Sequence, residues 1–506
     1  MRTLCAIMIC LFSVDYAFSQ GYNHIWFIGN QVLLDTNTTS PKARILFDGV
    51  NADTIGEIRQ MPFRGTQANI SDENGNLIAA TNGCWIMDAT GNTMQNGSGL
   101  NPGSYANSYC TNTSAIPISN GALFIPFPGD STKFILFHQV GNFNMPNGES
   151  SELFYTVIDR TLNSGNGGVI PGQKNLIAFT DTLSYGIAAC KHANGRDWWV
   201  LALKDSSNVI YKVLVTPAGI ASVTTQTVNM PLPYFGNAGQ PCFSPEGTKF
   251  AFTSGRLNPF AMDVRVFSFN RCNGILDSIG YIHKQNYAGF GLSFSPNSRY
   301  LYYSAFQHIF QLDTDAPDIA ATDTLIAIYD GYCYPFSATC TDFWLMYRAA
   351  NGKIYITSSQ YTIDLTYINS PDSAGVACDV KQHALRLPCY TIRQGLNHPN
   401  YYLGCDTTCG PCFVVGVNET GKHDFKFSLS PNPSSGAVKI IYLLPQNKSG
   451  MFELYDVTGK KVFTYILPPW STLQHFDFSF LSNGMYHAVL TSDGYTKAEK
   501  LVLLRP

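Results

Sequence analysis

Residues 243–254 read FSPEGTKFAFTS and residues 294–305 read FSPNSRYLYYSA, the same string of turn formers running into the same kind of apolar stretch 51 positions later. Each copy opens on Ser-Pro and two or three polar residues, which favours a tight turn. It continues with aromatic and small residues that suit a half-buried or buried strand. A turn-then-strand unit that recurs at a set distance is the signature of a repeat architecture. Looser copies lie at ENGNLIAAT near Leu77, PGDSTKFILF near Phe134, ANGRDWWVLAL near Trp198 and ANGKIYITS near Ile354. Taken with Phe250 and Leu301, these landmarks are 57, 64, 52, 51 and 53 residues apart. A period near 50 built from short strands predicts a β-propeller, in which small sheets stack around an axis and leave few free edges. The 383 residues from Tyr22 to Gly404 would hold about seven blades. A row of β-sandwiches is the competing arrangement, but its repeat runs nearer about 80–100 residues. The unmatched ends, HIWFIGN at 24–30 and residues 385–403, predict closure of the ring by joining the first strands to the last.

The composition agrees with an all-β chain. Among 506 residues there are 32 basic and 35 acidic side chains, a net charge of −3, so binding nucleic acid by phosphate neutralisation is not expected. Charged residues are 13% against about 25% in ordinary soluble domains, while aromatics reach 13%, which predicts a nearly neutral, aromatic-rich protein. Sustained apolar periodicity at 3.6 residues is nearly absent.

Arg2, the apolar run Leu4 to Val14 and the small-x-small exit Ala17-Phe18-Ser19 predict a secretory signal peptide at residues 1–19. No cysteine follows that exit, so a lipid anchor there is not predicted. No other segment approaches the roughly 18 apolar residues of a membrane span. Cys5 and Cys10 leave with the signal, and twelve cysteines remain for an oxidising compartment, so disulfides are expected. Cys333/Cys340 and Cys378/Cys389 are close enough in sequence to close short loops, though spacing alone leaves the connectivity open.

Residues 405–424, CDTTCGPCFVVGVNETGKHD, lack strand periodicity and are expected to tether the propeller (20–404) to a second domain (425–506). That domain has about seven short strands in eighty residues, the length and strand count of an immunoglobulin-like sandwich. It closely resembles the type A C-terminal sorting domain of cargo carried by the type IX secretion system of Bacteroidetes. The matching stretches are SLSPNPSSG (428–436), LYDVTGKKV (454–462), LSNGMYHAVL (481–490) and KLVLLRP (500–506), in the family's order. The resemblance implies export through the periplasm to the outer surface or medium, the secretion machinery as partner, and cleavage of the domain with surface attachment or release of the product. It singles out Pro431, Asn432 and Pro433 in the leading turn, Asp456, Gly459 and Lys460 in LYDVTGKK, Gly484 and Tyr486 in SNGMYH, and Lys500 in the final strand. Residues 25–35, 70–83, 96–100, 127–137, 367–380 and 395–402 also resemble the propeller-like repeat regions of large Bacteroidetes surface proteins, which implies a fold and a location but no activity.

Local motifs for chemistry are weak. Cys409-Gly410-Pro411-Cys412 has the thioredoxin redox spacing, but no βαβ pattern surrounds it, so a structural disulfide is expected, and Cys405, Cys409 and Cys412 lack a further ligand pair for zinc. GVNETGK (416–422) lacks the Ser or Thr of a phosphate-binding loop, since His423 stands there. Asp72, Asn74 and Asn76 alternate like calcium ligands without the closing glutamate, so a hairpin turn is expected. Neither a metalloprotease His pair nor a nucleophile elbow is present. Trp198/Trp199 and Tyr401/Tyr402 could stack on sugars but are expected to fill space between sheets. The sequence therefore predicts no catalytic, cofactor or metal residues, and a secreted or surface module that binds a glycan or protein. The alternatives are a propeller-based hydrolase or lyase acting on extracellular polysaccharide or peptide, and a structural surface component.

Overall fold

The computed structural model describes residues 22–505 apart from stretches at 31–37, 49–50, 73–74, 112–113, 146–147, 232–238, 258–259, 334–339, 407–408, 410–425, 445–447 and 470–472. The signal segment, Cys412 and the GVNETGK stretch lie outside the described residues. The chain is 56% strand and 4% helix, so the all-β expectation holds. No helix among the described residues is long and apolar enough to cross a membrane.

Each of the six landmarks marks the same event, the turn after the leading strand of a sheet. The first N–H past each leading strand reaches a carbonyl across the turn: Asp72 to Asn76 at 2.7 Å, Phe127 to Lys133 at 2.9 Å, His192 to Asp197 at 2.8 Å, Ser244 to Lys249 at 2.9 Å, Ser295 to Tyr300 at 2.7 Å and Ala349 to Lys353 at 2.9 Å. In the two most similar copies the hydroxyls of Ser244 and Ser295 also accept the N–H of Lys249 and Tyr300, at 3.0 and 2.9 Å. The left-handed position these turns require is filled by Gly247 (φ 71°) in one copy and Ser298 (φ 64°) in the other. Consecutive copies touch, because the Glu246 N–H donates to the Ser298 hydroxyl at 3.1 Å.

Downstream of residue 240 the sheets are separate four-stranded antiparallel meanders. They are led by Pro241–Phe243, Leu292–Phe294 and Met346–Arg348, and end on Ile275–Gln285, Thr324–Ile328 and Val380–Thr391. Between residues 65 and 227 the meanders join, together with Gln394–Leu396, into one thirteen-stranded ladder, while Ile25–Ile28, Lys42–Asp48 and Asn51–Glu57 form a separate three-stranded sheet. Two of the meanders are joined by Leu176–Lys191, sixteen residues long, whose first part pairs with Ser150–Asp159 and whose second part pairs with Trp198–Lys204, and a third is joined by the parallel pairing of Gly168–Val169 with Thr93–Ser98. The leading strands meet one another in chain order, from Gly65–Ser71 through Ala122–Pro126 to Met346–Arg348. Gln394–Leu396 then pairs in parallel with Gly65–Gln67 and brings the succession back to its start, a propeller-like ring.

The cores lie between neighbouring sheets. Phe250, Phe252 and Phe267 pack against Trp199 and Leu201, Val264 and Val266 against Leu301 and Tyr303, and Tyr302 against Met346 and Ile354. Each large side chain so buried stabilises the fold by about 1.5–3 kcal/mol before entropy is counted.

Closure differs in detail from the sequence expectation. Residues 385–391 belong to the outer strand of the sheet led by Met346, and Ile25–Ile28 pairs with Lys42–Asp48 rather than with the chain's later strands. IWFI is apolar at every position, so it is buried on both faces. Trp26 and Ile28 pack on Trp344, Tyr355 and Leu365, while Ile25 and Phe27 pack on Met61, Phe63 and Ala80. The first sheet is therefore wedged between its neighbours, and only residues 394–396 of the late segment share a ladder across the join.

Three disulfides join described residues: Cys84–Cys110, Cys272–Cys409 and Cys333–Cys340. The second of the two proposed short loops is not closed. Cys378 and Cys389 remain buried thiols, because Cys378 faces the sheet led by Leu292 and Cys389 faces the wedged sheet on the other side. The start of the stretch read as a tether contacts the ring. Arg271 donates to the Gly404 carbonyl at 2.6 Å, the Asp406 N–H to the Ala193 carbonyl at 2.7 Å, and Cys409 is bridged to Cys272, so Gly404, Asp406 and Cys409 are fixed to the ring.

All seven short runs after residue 425 are strands, in a three-stranded and a four-stranded sheet. The two sheets share one core of Phe452, Leu454, Ile440, Tyr442, Leu490 and Leu501.

Candidate functional site

The leading strands run the same way around the axis, so the residues just before them gather at one end. They form a mouth with a cavity of about 370 Å³. Arg64 and Gly65 come from the start of Gly65–Ser71, Pro117 and Ser119 from the approach to Ala122–Pro126, Phe290 and Trp344 from the approaches to Leu292–Phe294 and Met346–Arg348, and Arg393 from the residue before Gln394–Leu396. Tyr185, Phe306, Ser359 and Gln360 complete the wall, and no carboxylate is among these lining residues.

Glycine sets the spacing of the wall. A Cβ on Gly291 would lie 2.2 Å from the Trp344 carbonyl oxygen, so only a bare backbone lets Phe290 and Trp344 meet with ring centroids 4.6 Å apart. Phe306 adds a third ring, 5.4 Å from Trp344. The Arg393 guanidinium sits 5.6 Å from the Trp344 ring centre, a cation–π contact, while its Nε donates to the Ser359 carbonyl at 3.1 Å.

Asp342 stands behind this wall with its carboxylate already engaged. It accepts from the Ser358 hydroxyl and the Ser359 N–H, both at 2.6 Å, and from the Ser359 hydroxyl. Burial raises its pKa and Arg393 opposes that rise. The mouth is thus rich in donors and short of acceptors. Arg64 Nε and the Trp344 indole N–H are buried with no acceptor among the described residues.

The axis behind the mouth is filled by amides and a phenol. Gln240 donates to the Met346 carbonyl at 2.6 Å and accepts the Leu292 N–H at 3.0 Å. The Tyr347 hydroxyl donates to the Asn120 side chain at 2.8 Å, and Asn397 donates to the Ile187 carbonyl at 2.8 Å. At the opposite end a cavity of about 80 Å³ holds His398 and Arg348. Burial lowers the His398 pKa to about 4, which keeps the imidazole neutral at pH 7. No group of His, Cys, Asp and Glu among the described residues is arranged to hold a metal ion.

The residues singled out in the last domain sit in turns and along its final strand. Asp456 Oδ1 accepts the N–H groups of Thr458 and Lys460 at 2.9 and 3.0 Å and the Thr458 hydroxyl at 2.6 Å, closing a turn in which Gly459 is left-handed (φ 81°). The side chains of Lys460 and Lys500 are exposed. Gly484 opens the strand Gly484–Ser492 rather than occupying the reversal before it, and the buried Tyr486 donates its hydroxyl to the Ser482 carbonyl at 2.8 Å.

Pro431 and Pro433 follow cis peptide bonds on either side of Asn432. The Asn432 amide donates to the Lys500 carbonyl and accepts the Val502 N–H at 2.9 Å. Asn483 grips the chain three residues beyond Val502, donating to the Arg505 carbonyl at 3.1 Å and accepting its N–H at 3.2 Å. The end of the last strand is therefore held by the Asn432 amide and by the Ser434 backbone, which bonds Val502 and Leu504 at 2.9 and 2.8 Å, and Asn483 holds Arg505 beyond it. Sequence reading singled out Asn432 and missed Asn483, although both are asparagines next to turn-forming Pro or Gly.

The aromatic pairs flagged as sugar-stacking candidates are core. Trp198 is 1% exposed and meets Tyr401 edge to face, the Trp199 N–H donates to the Arg271 carbonyl, and the hydroxyls of Tyr401 and Tyr402 donate to the Phe124 carbonyl and the Asn23 side chain. Asp72 and Asn76 bond each other across a hairpin, and Asn74 lies outside the described residues.

Residues 428–504 match the family described as secretion system C-terminal sorting domain. No curated protein matches the chain. Solved structures similar to it include a protein from Lactobacillus plantarum (10% identity, 90% of this chain and 100% of that one, TM-score 0.35). The periplasmic gluconolactonase of Pseudomonas aeruginosa is 13% identical over 90% of this chain and 99% of its own, TM-score 0.34. Sqt1 from Chaetomium thermophilum is 9% identical over 97% and 99%, TM-score 0.33. At such scores these likenesses carry no inference about activity.

Proposed function

We propose that this type IX secretion cargo protein, marked as such by its C-terminal sorting domain, delivers a seven-bladed propeller to the cell surface or medium, where the axial mouth binds a glycan. In this reading residues 1–19 direct the chain to the periplasm. The immunoglobulin-like sandwich from residue 425 is the address for passage across the outer membrane, with Pro431, Asn432, Pro433, Asp456, Gly459, Lys460, Gly484, Tyr486 and Lys500 shaping its surface and final strand.

The observation that carries the binding reading is the make-up of the mouth: three packed aromatic rings, two guanidiniums and hydroxyl and amide side chains, with no lining carboxylate. A hydrolase or lyase acting from this face needs a general acid and base within reach of the substrate. The nearby carboxylate, Asp342, is held by its own loop.

A glycan and surface-protein screen with purified residues 20–506 tests the proposal. Retention of glycans, lost when Trp344→Ala opens the wall, is the expected result. Release of new chain ends from a polysaccharide would replace binding with catalysis, and retention of proteins alone would reject the glycan.

A further inference from the structure

We infer that the axial mouth takes an acidic sugar unit, a uronate, with its carboxylate between Arg64 and Arg393. This rests on the reading of the mouth as a glycan site and names what it selects.

The two arginines come from opposite ends of the ring's sequence and are brought together by its closure. Gln394 pairs with Gly65 in a parallel register, and the Gly65 N–H donates to the Arg393 carbonyl at 3.0 Å. Arg393 and Arg64, one residue upstream on each strand, therefore occupy adjacent positions on neighbouring strands, which are spaced about 4.8 Å apart. Like charges so placed repel unless an anion lies between them. Neither arginine has a carboxylate at ion-pair distance among the described residues. Asp342, whose charge Arg393 does feel, already accepts three hydrogen bonds from Ser358 and Ser359.

Arg393 is also held at φ 46°, a left-handed backbone that a non-glycine residue adopts at a cost, and such strain collects at binding sites. A guanidinium offers parallel N–H donors whose spacing matches the two oxygens of a carboxylate.

The rest of the wall suits a sugar ring. Trp344 and Phe306 provide apolar surface for C–H faces, and the Gln360 amide provides a group that pairs with hydroxyls. At about 370 Å³ the cavity is at the small end of ligand sites, which run from about 300 to 1,000 Å³, so it fits a chain end or a single unit rather than the middle of a polymer.

Calorimetric titration of residues 20–506 with D-glucuronate, D-glucose and a tripeptide bearing a free C-terminus tests this. The expected result is glucuronate binding at least about tenfold tighter than glucose, weakening as salt is raised. Arg64→Gln and Arg393→Gln should each lower glucuronate affinity at least about tenfold at an unchanged melting temperature. Arg64→Lys and Arg393→Lys, which keep the charge and lose the fork, should retain part of the affinity, and they serve if either Gln variant fails to fold. Equal binding of glucose and glucuronate, unaffected by the arginine variants, would overturn the uronate assignment and leave the glycan site standing. Binding of the tripeptide in place of glucuronate would overturn both, as would no binding of either sugar combined with a screen that retains no glycan.

Discussion

The ring and the terminal sandwich secure their last strands in opposite ways. In the ring, Gln394–Leu396 is three residues long, buried, and paired inside the molecule with Gly65–Gln67. In the sandwich, Tyr495–Leu503 is nine residues long at the edge of its sheet, mostly exposed over its first half, and held at its far end by the Asn432 amide and the Ser434 backbone, with Asn483 gripping Arg505 just beyond it. The ring's closure is a packing event that sequesters its end. The sandwich keeps its end on the surface and covers that edge only at its far end, with side-chain amides and the backbone of Ser434 rather than with a further full strand.

If that contrast is right, the two parts lose stability independently. Trp198→Ala removes a fully buried indole from the ring and is expected to cost about 3–5 kcal/mol. Calorimetry should find the ring's transition lowered and the sandwich's unmoved, with Phe452→Ala doing the reverse.

Asp263→Ala is expected to cost the ring about 3 kcal/mol. It strips the ion-pair partner from Arg265, whose side chain is 1% exposed, and removes the acceptor for the Tyr281 hydroxyl. Asp263→Asn, which keeps the acceptor oxygen, should cost less in the same denaturant titration.

Removing a clamp is a smaller change confined to the sandwich. Asn432→Ala or Asn483→Ala should each cost about 0.5–1.5 kcal/mol and raise hydrogen exchange at residues 500–505, with no change at residues 394–396.

Acidification is the gentlest probe. Burial lowers the pKa of His138 to about 3 and of His398 to about 4. A folded-state pKa below the unfolded value of 6.5 means that the unfolded chain binds more protons between the two, so stability falls as pH drops through 6.5. From pH 7.5 to 6.0 the ring should lose under about 1 kcal/mol per imidazole. His138→Gln should blunt the effect, and a ring melting temperature independent of pH over that interval would contradict the burial of neutral imidazoles.

What could be read in the sequence was local. The six turns were legible because Gly, Asn, Ser and Pro carry their backbone geometry with them, so FSPEGTKF and FSPNSRYL announce the same structure. Two turns of the last domain were legible for the same reason, at Asp456-Val457-Thr458-Gly459 and Pro431-Asn432-Pro433. The mouth was not. Arg64, Phe290, Trp344 and Arg393 are separated by whole repeats, and only the ring's closure brings them together. One trace of it was available: Arg64-Gly65-Thr66-Gln67 and Arg393-Gln394-Gly395-Leu396 each place an arginine at the head of a short leading strand that carries glycine. The conspicuous Trp198-Trp199 and Tyr401-Tyr402 pairs proved to be core, because they lie inside or beside strands sandwiched between sheets, whereas Trp344 lies just ahead of one.

The division of labour between the two parts is tested most directly by deleting residues 425–506 and measuring where the ring accumulates in the cell that makes it. A folded, ligand-competent ring retained in the periplasm is the predicted result. The same ring reaching the surface or medium at the level of the full chain would contradict it.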